Sequence, residues 1–204
     1  LSLRVDQYLA LGTVALTSGD SVTLADTGSA LSGLSASQIG ALAGKQVDAL
    51  DASDNVLSLR VDQYQALGTV ALTSADTVTL RDAGASLAGL DATAIGALAG
   101  KQVDALDASD NVLSLRVDQY QALGTVALTS ADTVTLKDSG AALAALDATA
   151  IGALANKQVD ALDASDNALS LRVDQYQALG TVALTSADTV TLKDSGAALA
   201  ALDA

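Results

Sequence analysis

The chain has 204 residues, half of them apolar, and a net charge of −14 at pH 7. It contains no His, Cys, Met, Trp, Phe or Pro, its only aromatic residues are four tyrosines, and all 24 of its acidic residues are Asp. The negative charge argues against binding to nucleic acid or to an anionic membrane surface. Without His, Cys and Glu the chain lacks the side chains that most enzymes use for acid–base or nucleophilic chemistry, so we do not expect an enzyme.

The main feature of the sequence is a repeat with a period of 56 residues. The segment LSLRVDQY begins at Leu1, Leu57, Leu113 and Leu169. The chain therefore divides into units 1–56, 57–112 and 113–168 and a partial unit 169–204, which we expect to form a single continuous array. A fixed period of this size is typical of solenoids and other repeat arrays. Neither end shows a polar capping unit, so we expect self-association or stacking on further repeats.

The predicted elements follow the same order in each unit, and the second unit illustrates them. LSL and TVTL have the alternating pattern of short strands. Gly68 follows QAL, where a helix C-terminal glycine is expected, as do Gly124 and Gly180. Asp91 stands at the N-cap position of a further short helix whose Ile95 and Leu98 share one face; Ser35 and Asp147 are its equivalents.

The two halves of each unit are similar to each other, which predicts a rung of about 28 residues. The predicted fold class is α/β: a repeat solenoid with short parallel strands and short helices, in 56-residue double units. Tyr8, Tyr64, Tyr120 and Tyr176 take the helical position that Ile fills in the other half, which favours core packing over ligand binding.

Membrane insertion is not expected, because no apolar run reaches the roughly 18 residues of a transmembrane helix. No signal peptide is visible. Because the sequence begins at Leu1 and not at Met, we expect it to be a piece of a longer protein.

The segment VDALDASDNVLSL, residues 103–115, resembles the leucine-rich repeat pattern L-x-x-L-x-L-x-x-N-x-L. Val103, Leu106, Ala108, Asn111 and Leu113 fall on its defining positions. The resemblance implies that the apolar residues point inward and that Asn111 forms an inward-facing ladder. The other half of each unit matches only loosely, so a β-β-α solenoid related in architecture alone remains open. The composition also resembles repeat regions of large secreted bacterial surface proteins, which implies an extracellular or cell-surface location.

The acidic turns DASDN support two interpretations. As strand and turn residues, the acids point outward and need no ligand. As an ion site, they offer the oxygen atoms that calcium requires, although the glycine and Glu of an EF-hand loop are missing. The candidate calcium ligands are Asp51, Asp54, Asn55, Asp107, Asp110, Asn111, Asp163, Asp166 and Asn167.

The favoured function is a structural repeat segment of a large extracellular bacterial protein: a spacer, an adhesin stalk, or the body of a self-assembling filament or surface layer. The alternative is a calcium-dependent binding module that uses the DASDN turns. A weaker third possibility is a recognition solenoid that grips a protein, but its predicted face lacks the Trp, Tyr and Arg typical of binding hot spots.

Overall fold

The computed structural model of the protein describes residues 1–203. Within them, short parallel strands and short helices alternate along the chain, as expected for the α/β class. The strands form three sheets of four strands and one sheet of two, and no sheet among the described residues closes into a barrel. No helix within residues 1–203 has the length and apolar character needed to cross a membrane.

The elements of successive units have nearly the same bounds relative to the repeat. The strands are β1 Ser2–Leu3, β2 Thr23–Asp26, β3 Ala49–Ala52, β4 Val56–Leu59, β5 Ala71–Leu72, β6 Thr77–Asp82, β7 Ala105–Ala108, β8 Val112–Leu115, β9 Ala127–Leu128, β10 Thr133–Asp138, β11 Ala161–Ala164, β12 Ala168–Leu171, β13 Ala183–Leu184 and β14 Thr189–Leu192. The α-helices are α1 Val5–Ala10, α2 Gly28–Ser32, α3 Ala36–Gly40, α4 Val61–Ala66, α5 Gly84–Ala88, α6 Ala92–Gly96, α7 Val117–Ala122, α8 Gly140–Ala144, α9 Ala148–Gly152, α10 Val173–Ala178 and α11 Gly196–Ala200. Short 3₁₀ helices span Ala43–Lys45, Ala99–Lys101, Ala155–Lys157 and Ala201–Asp203.

All the neighbouring strands that the structure describes pair in parallel, and the pairing repeats from unit to unit. In the second unit β6 lies between β4 and β7, and Leu80 is beside Leu59 on one side and Leu106 on the other. Paired residues are 21, 26 or 22 residues apart along the chain. Each strand therefore pairs only with strands that come shortly before or after it.

The core is a stack of aliphatic side chains from successive strands and helices. Leu80 and Leu106 on paired strands are fully buried, and so are Ile95 and Leu98, the pair expected on one helix face. Along β6 buried and more exposed residues alternate, as the TVTL pattern predicts. Because the buried residues are nearly all Leu, Val, Ile and Ala, equivalent layers of the core repeat with almost the same shape.

The predicted N-caps and C-terminal glycines are confirmed, although α6 ends at Gly96, two residues before Leu98. The carboxylate of Asp91 accepts a hydrogen bond from the amide of Ala94 at 2.7 Å, as an N-cap does. Ser35 and Asp147 cap their helices in the same way. Gly68 follows α4 with φ of 56°, a left-handed conformation that favours glycine, and Gly124 and Gly180 repeat it.

A second set of glycines is required by close packing. Gly84, the first residue of α5, lies against the backbone carbonyl of Val112 at the start of β8, and a Cβ at Gly84 would overlap that carbonyl oxygen. Gly28 and Gly140 make the same close approach in their units. These glycines let the start of a helix sit directly on the backbone at the end of the same unit.

We expect Gly84→Ala to destabilise the protein, because the added methyl group forces α5 away from β8. Overpacking of this kind costs about 1–3 kcal/mol, which urea denaturation will measure. The matched control is Gly100→Asn, since Gly100 has open space around it and the third unit carries Asn156 at that position. The control should change the unfolding free energy by less than about 0.5 kcal/mol; equal effects of the two substitutions would contradict the packing argument.

Candidate functional site

The DASDN segment, residues 107–111, begins in β7 and continues through the turn to β8. Its first acid lies beside β6. Asp107 in β7 forms an ion pair with Arg81, with Nη1 and Oδ2 3.1 Å apart. In the third unit Lys137 and Asp163 make the equivalent pair at 2.6 Å. In the first unit Ala25 takes the register position beside Asp51, so no basic residue within residues 1–203 pairs with this acid.

The second acid of the segment accepts a backbone hydrogen bond. Oδ1 of Asp110 accepts from the amide of Gly84 at 3.0 Å. This hydrogen bond favours the ionised carboxylate and lowers the pKa of Asp110 below its ordinary value. Asp54 and Asp166 accept from Gly28 and Gly140 in the same way, at 2.8 and 2.9 Å.

The asparagine of the segment does not point into the core, so the expected inward ladder is wrong. Asn111 is exposed and has φ of 58°, a left-handed conformation that Asn tolerates better than most residues. Its backbone carbonyl accepts from the amide of Thr133 at 2.9 Å. Asn55 and Asn167 are likewise exposed with positive φ. The asparagine recurs at this position in all three copies because the turn requires a residue in the left-handed conformation.

The nine candidate calcium ligands therefore have separate contacts. Asp107 faces a basic side chain, Asp110 faces a backbone amide and Asn111 lies in the turn. Among the described residues, no group of three or more acidic side chains is placed to hold a metal ion. The structure does not bring the predicted ligands together as one set.

Many aspartates along the chain have a role that the sequence analysis missed. Their carboxylates accept hydrogen bonds from backbone amides of earlier segments. Oδ2 of Asp104 accepts from the amide of Val78 at 2.7 Å, across 26 residues of chain. Oδ2 of Asp82 accepts from the amide of Val61, across 21 residues. The contact recurs from Asp48 to Val22, Asp160 to Val134, Asp138 to Val117 and Asp194 to Val173. Within each unit, aspartate side chains thus join one segment to the segment before it.

One acid in each of the second and third units, Asp76 and Asp132, is almost fully buried. Asp132, in the turn before β10, is 6% exposed, and its Oδ2 accepts from the amide of Ala108 and the hydroxyl of Thr129. Its Oδ1 is buried and has no hydrogen-bond partner among the described residues; the same holds for Oδ1 of Asp76 and of Asp188.

A buried glutamine makes a further contact between segments that the sequence analysis missed. Gln119, in the first turn of α7, is 1% exposed, and its Oε1 accepts from the amide of Arg116. Its Nε2 donates to the carbonyls of Ala88 and Leu90 at 2.8 and 2.5 Å. The available signal was a Gln three residues after the N-cap, but the Arg at the N-cap position hid the capping pattern.

The tyrosines pack in the core, as their position in the repeat predicts, except in the last unit. Tyr64 and Tyr120 are buried, and burial raises the pKa of both hydroxyls. A lysine from the following segment lies over each ring: Lys101 over Tyr64 at 5.5 Å and Lys157 over Tyr120 at 5.7 Å from the ring centre. Tyr176 in the partial unit is 45% exposed.

The surface has two equivalent small cavities beside these lysines. One, of about 270 Å³, lies between the segment 123–128 and Lys157; the other, of about 280 Å³, lies between the segment 67–72 and Lys101. Their walls are backbone and mainly aliphatic side chains, with one Thr, one Lys and one Gln in each and Asn156 in the first. Neither lining contains a carboxylic acid.

Comparisons with known proteins identify no family. No family model matches the chain, and no curated protein sequence matches it at a significant level.

We expect acid to destabilise the protein, and Asp110 to contribute to that effect. The pKa of the Asp110 carboxyl is lower in the folded state than its ordinary value of 3.8, which we take for the unfolded chain. Its contribution to stability is therefore fully present at pH values above 3.8 and is lost as the pH falls through the folded-state pKa. Asp110→Asn should lower the melting temperature at pH 6 and make it fall less between pH 6 and about pH 3.

Thermal melts by circular dichroism at several pH values will test this expectation. The matched control is Asp20→Asn, at an exposed turn where the carboxylate contacts only the Thr17 hydroxyl. If Asp110→Asn has the stability and pH profile of the unaltered chain, the carboxylate–amide contact is not a source of stability.

Proposed function

We propose that the chain is a structural repeat segment of a large extracellular bacterial protein, acting as a spacer, an adhesin stalk, or the body of a self-assembling filament or surface layer. In this proposal the chain is one continuous stacked α/β solenoid, with two rungs of about 28 residues in each 56-residue unit. Its architecture is related to that of leucine-rich repeats, although the exposed Asn111 departs from the inward asparagine of that pattern.

The observation that carries the proposal is that one set of contacts between segments recurs in each complete unit. Leu80 pairs beside Leu106 in one unit, and Leu136 beside Leu162 in the next. The carboxylate–amide contacts and the close glycine contacts recur with the same spacing. A unit of this kind adds length without needing a new kind of contact, which is the property of solenoid proteins.

The surface chemistry supports a scaffold over an enzyme or a recognition protein. The two equivalent cavities contain no carboxylic acid, and they present nearly the same residues, with Gly100 in one where Asn156 lies in the other. A protein-binding face draws most of its affinity from buried Trp, Tyr and Arg, whereas three of the four tyrosines pack in the core here. The composition, rich in Ala, Asp, Thr and Gly and free of Cys, supports the extracellular location.

We expect the molecule to lengthen in one direction when units are added. Inserting four further copies of residues 113–168 after Ala168 should add about 40 Å, because two strand spacings of 4.7–4.9 Å are gained per unit. The cross-section should stay constant and the melting temperature should rise. Small-angle X-ray scattering and thermal melts will measure these quantities. Growth in all dimensions, or an unchanged melting temperature, would contradict the solenoid.

A second candidate function, a calcium-dependent binding module, is favoured by the buried acid of the second unit. Oδ1 of Asp76 has no hydrogen-bond partner among the described residues, and its Oδ2 accepts from the hydroxyl of Thr73 at 2.6 Å. The same hydroxyl is 3.1 Å from Oδ1 of Asp51. Both carboxylates therefore accept from the Thr73 hydroxyl, and Oδ2 of Asp76 also accepts from the amide of Ala52 at 3.0 Å.

The first DASDN segment also lacks the positive charge that its copies have. Arg81 and Lys137 pair with the later copies of Asp51, where the first unit has Ala25. Calcium binds carboxylate and carbonyl oxygens, and an ion beside Asp51 and Asp76 would supply the missing charge.

If calcium binds here, the melting temperature should rise when chelator is replaced by millimolar calcium, and not when it is replaced by magnesium. Ala25→Arg should remove this response, because the guanidinium group takes the place that Arg81 takes in the second unit. The control Ala43→Arg adds the same charge at an exposed position elsewhere and should keep the response. A melt that calcium does not change would rule out calcium as a source of folding stability.

A further inference from the structure

We propose that a surface cavity formed mainly by the second unit binds a tetrahedral oxyanion, phosphate or sulfate, between the guanidinium groups of Arg60 and Arg81. This arginine cavity has a volume of about 280 Å³, and its walls include both arginines together with Ser32, Ser58, Asp82 and Ser109. Binding at this site is independent of the structural role proposed above, which needs no ligand.

Two paired strands bring the arginines together. β4 and β6 are parallel with Leu59 beside Leu80, and Arg60 and Arg81 are the next residues along the chain. Because Leu59 and Leu80 are buried, the alternation of side chains turns both arginines to the outer face, where each side chain is about half exposed. Like charges at neighbouring strand positions repel each other. An anion bound between the two guanidinium groups reverses that effect.

Most of the donors on these arginines are free. Nε of Arg60 donates to Oδ1 of Asp62 at 3.1 Å, and its two terminal nitrogens have no hydrogen bond to residues 1–203. Arg81 forms an ion pair through Nη1 with Oδ2 of Asp107 at 3.1 Å, and within the described chain its Nε and Nη2 have no partner. A guanidinium group carries five N–H donors. The two carboxylates therefore orient the guanidinium groups and leave donors on both for a ligand.

Serine hydroxyls add further donors to the same cavity. The hydroxyls of Ser58 and Ser109 line it and make no hydrogen bond with any other described residue. The hydroxyl of Ser32 donates to the backbone carbonyl of Ser58, which ties the end of α2 to β4. In the third unit, the position equivalent to Ser32 is Ala88.

The one acid in the wall of the cavity is directed at the backbone. Oδ2 of Asp82 accepts from the amide of Val61 at 3.1 Å, and its Oδ1 accepts from the amide of Ala83 at 2.8 Å. These amide dipoles offset the charge of the carboxylate. The lining thus has two cationic side chains and one carboxylate whose oxygens both already accept hydrogen bonds.

The second unit is the complete unit in which both strand positions hold arginine. In the first unit Arg4 is beside Ala25, and in the third Arg116 is beside Lys137. A guanidinium group donates two parallel hydrogen bonds to one oxyanion, whereas an ammonium group acts as a point charge. Two such groups at one cavity favour a ligand with several oxygens. The volume lies below the roughly 300–1,000 Å³ of sites for drug-sized ligands, which favours a small ion or a small molecule that carries one.

NMR of the arginine Nε–H groups during titration of the full chain with sodium phosphate or sodium sulfate will test the site. We expect saturable shifts of the Arg60 and Arg81 signals, assigned with the variants Arg60→Lys and Arg81→Lys. Arg116 is the control within the same molecule, because it has the same contact with an aspartate but a lysine beside it, and its signal should shift less. Sodium chloride at equal ionic strength controls for screening. No shift, or equal unsaturated shifts of all arginines, would overturn the proposal.

Exchanging residues between units tests whether the paired guanidinium groups are responsible. Arg81→Lys should weaken binding about tenfold, the effect of losing one charge-assisted hydrogen bond, and the third unit shows that lysine fits this position. Lys137→Arg combined with Ala88→Ser gives the third unit the residues of the second and should add a saturable response at Arg116. The control Lys157→Arg makes the same exchange elsewhere and should add none. Unchanged affinity in Arg81→Lys, or no response at Arg116 in the double variant, would contradict the assignment.

Glucose phosphate and glucose distinguish the sources of the anion. Tighter binding of glucose phosphate than of inorganic phosphate would identify a phosphorylated sugar as the ligand, and equal binding would identify the free anion; both outcomes retain the oxyanion site. Glucose lacks the anion and should not displace phosphate. Displacement by glucose as effective as that by glucose phosphate would show that the cavity recognises the sugar, which would overturn the oxyanion proposal.

Discussion

The hydrogen bond from a backbone amide to an aspartate of the following segment is the contact on which this structure depends. The strands are two to six residues long and the α-helices five or six, so amides near the ends of these elements lack a partner within the element or its strand ladder. Asp104 accepts from the amide of Val78, near the start of β6, and Asp110 accepts from the amide of Gly84, the first residue of α5. An unsatisfied buried amide costs about 1–3 kcal/mol, and a charged acceptor makes a stronger bond than a neutral one.

This use of the acids explains both the composition and the charge. The acceptors sit on or beside backbone that is itself packed against the donor, so the short Asp side chain spans the gap. A net charge of −14 is tolerated because many carboxylates face amide dipoles or basic side chains. In the segment VDALDASDN, Leu106 and Ala108 face the core, while the three acids contact Val78, Arg81 and Gly84 in the first half of the same unit. One nine-residue stretch therefore supplies both core packing and the connection between the two halves of a unit.

The repetition of these contacts also shows which groups of a unit the following segment covers. Each complete unit has its open strand edge, tyrosine ring and helix-start amide covered by the segment that follows. In the last unit the same groups are exposed, with Tyr176 the most conspicuous.

The sequence by itself determined the period, the α/β class, the helix caps and the buried Leu and Ile positions. These features are local: Asp91 caps an amide three residues away, and Gly68 takes a left-handed conformation next to the helix that it ends. Only the tertiary structure decided the partners of Asp104 and Asp110, because the amides that they bind lie 26 residues earlier in the chain. It also turned Asn111 outward, although its spacing matches an inward ladder, because a left-handed turn residue and a ladder asparagine occupy the same place in the pattern. Local hydrogen bonds leave a signature in residue spacing, whereas contacts between segments depend on a register that spacing alone does not define.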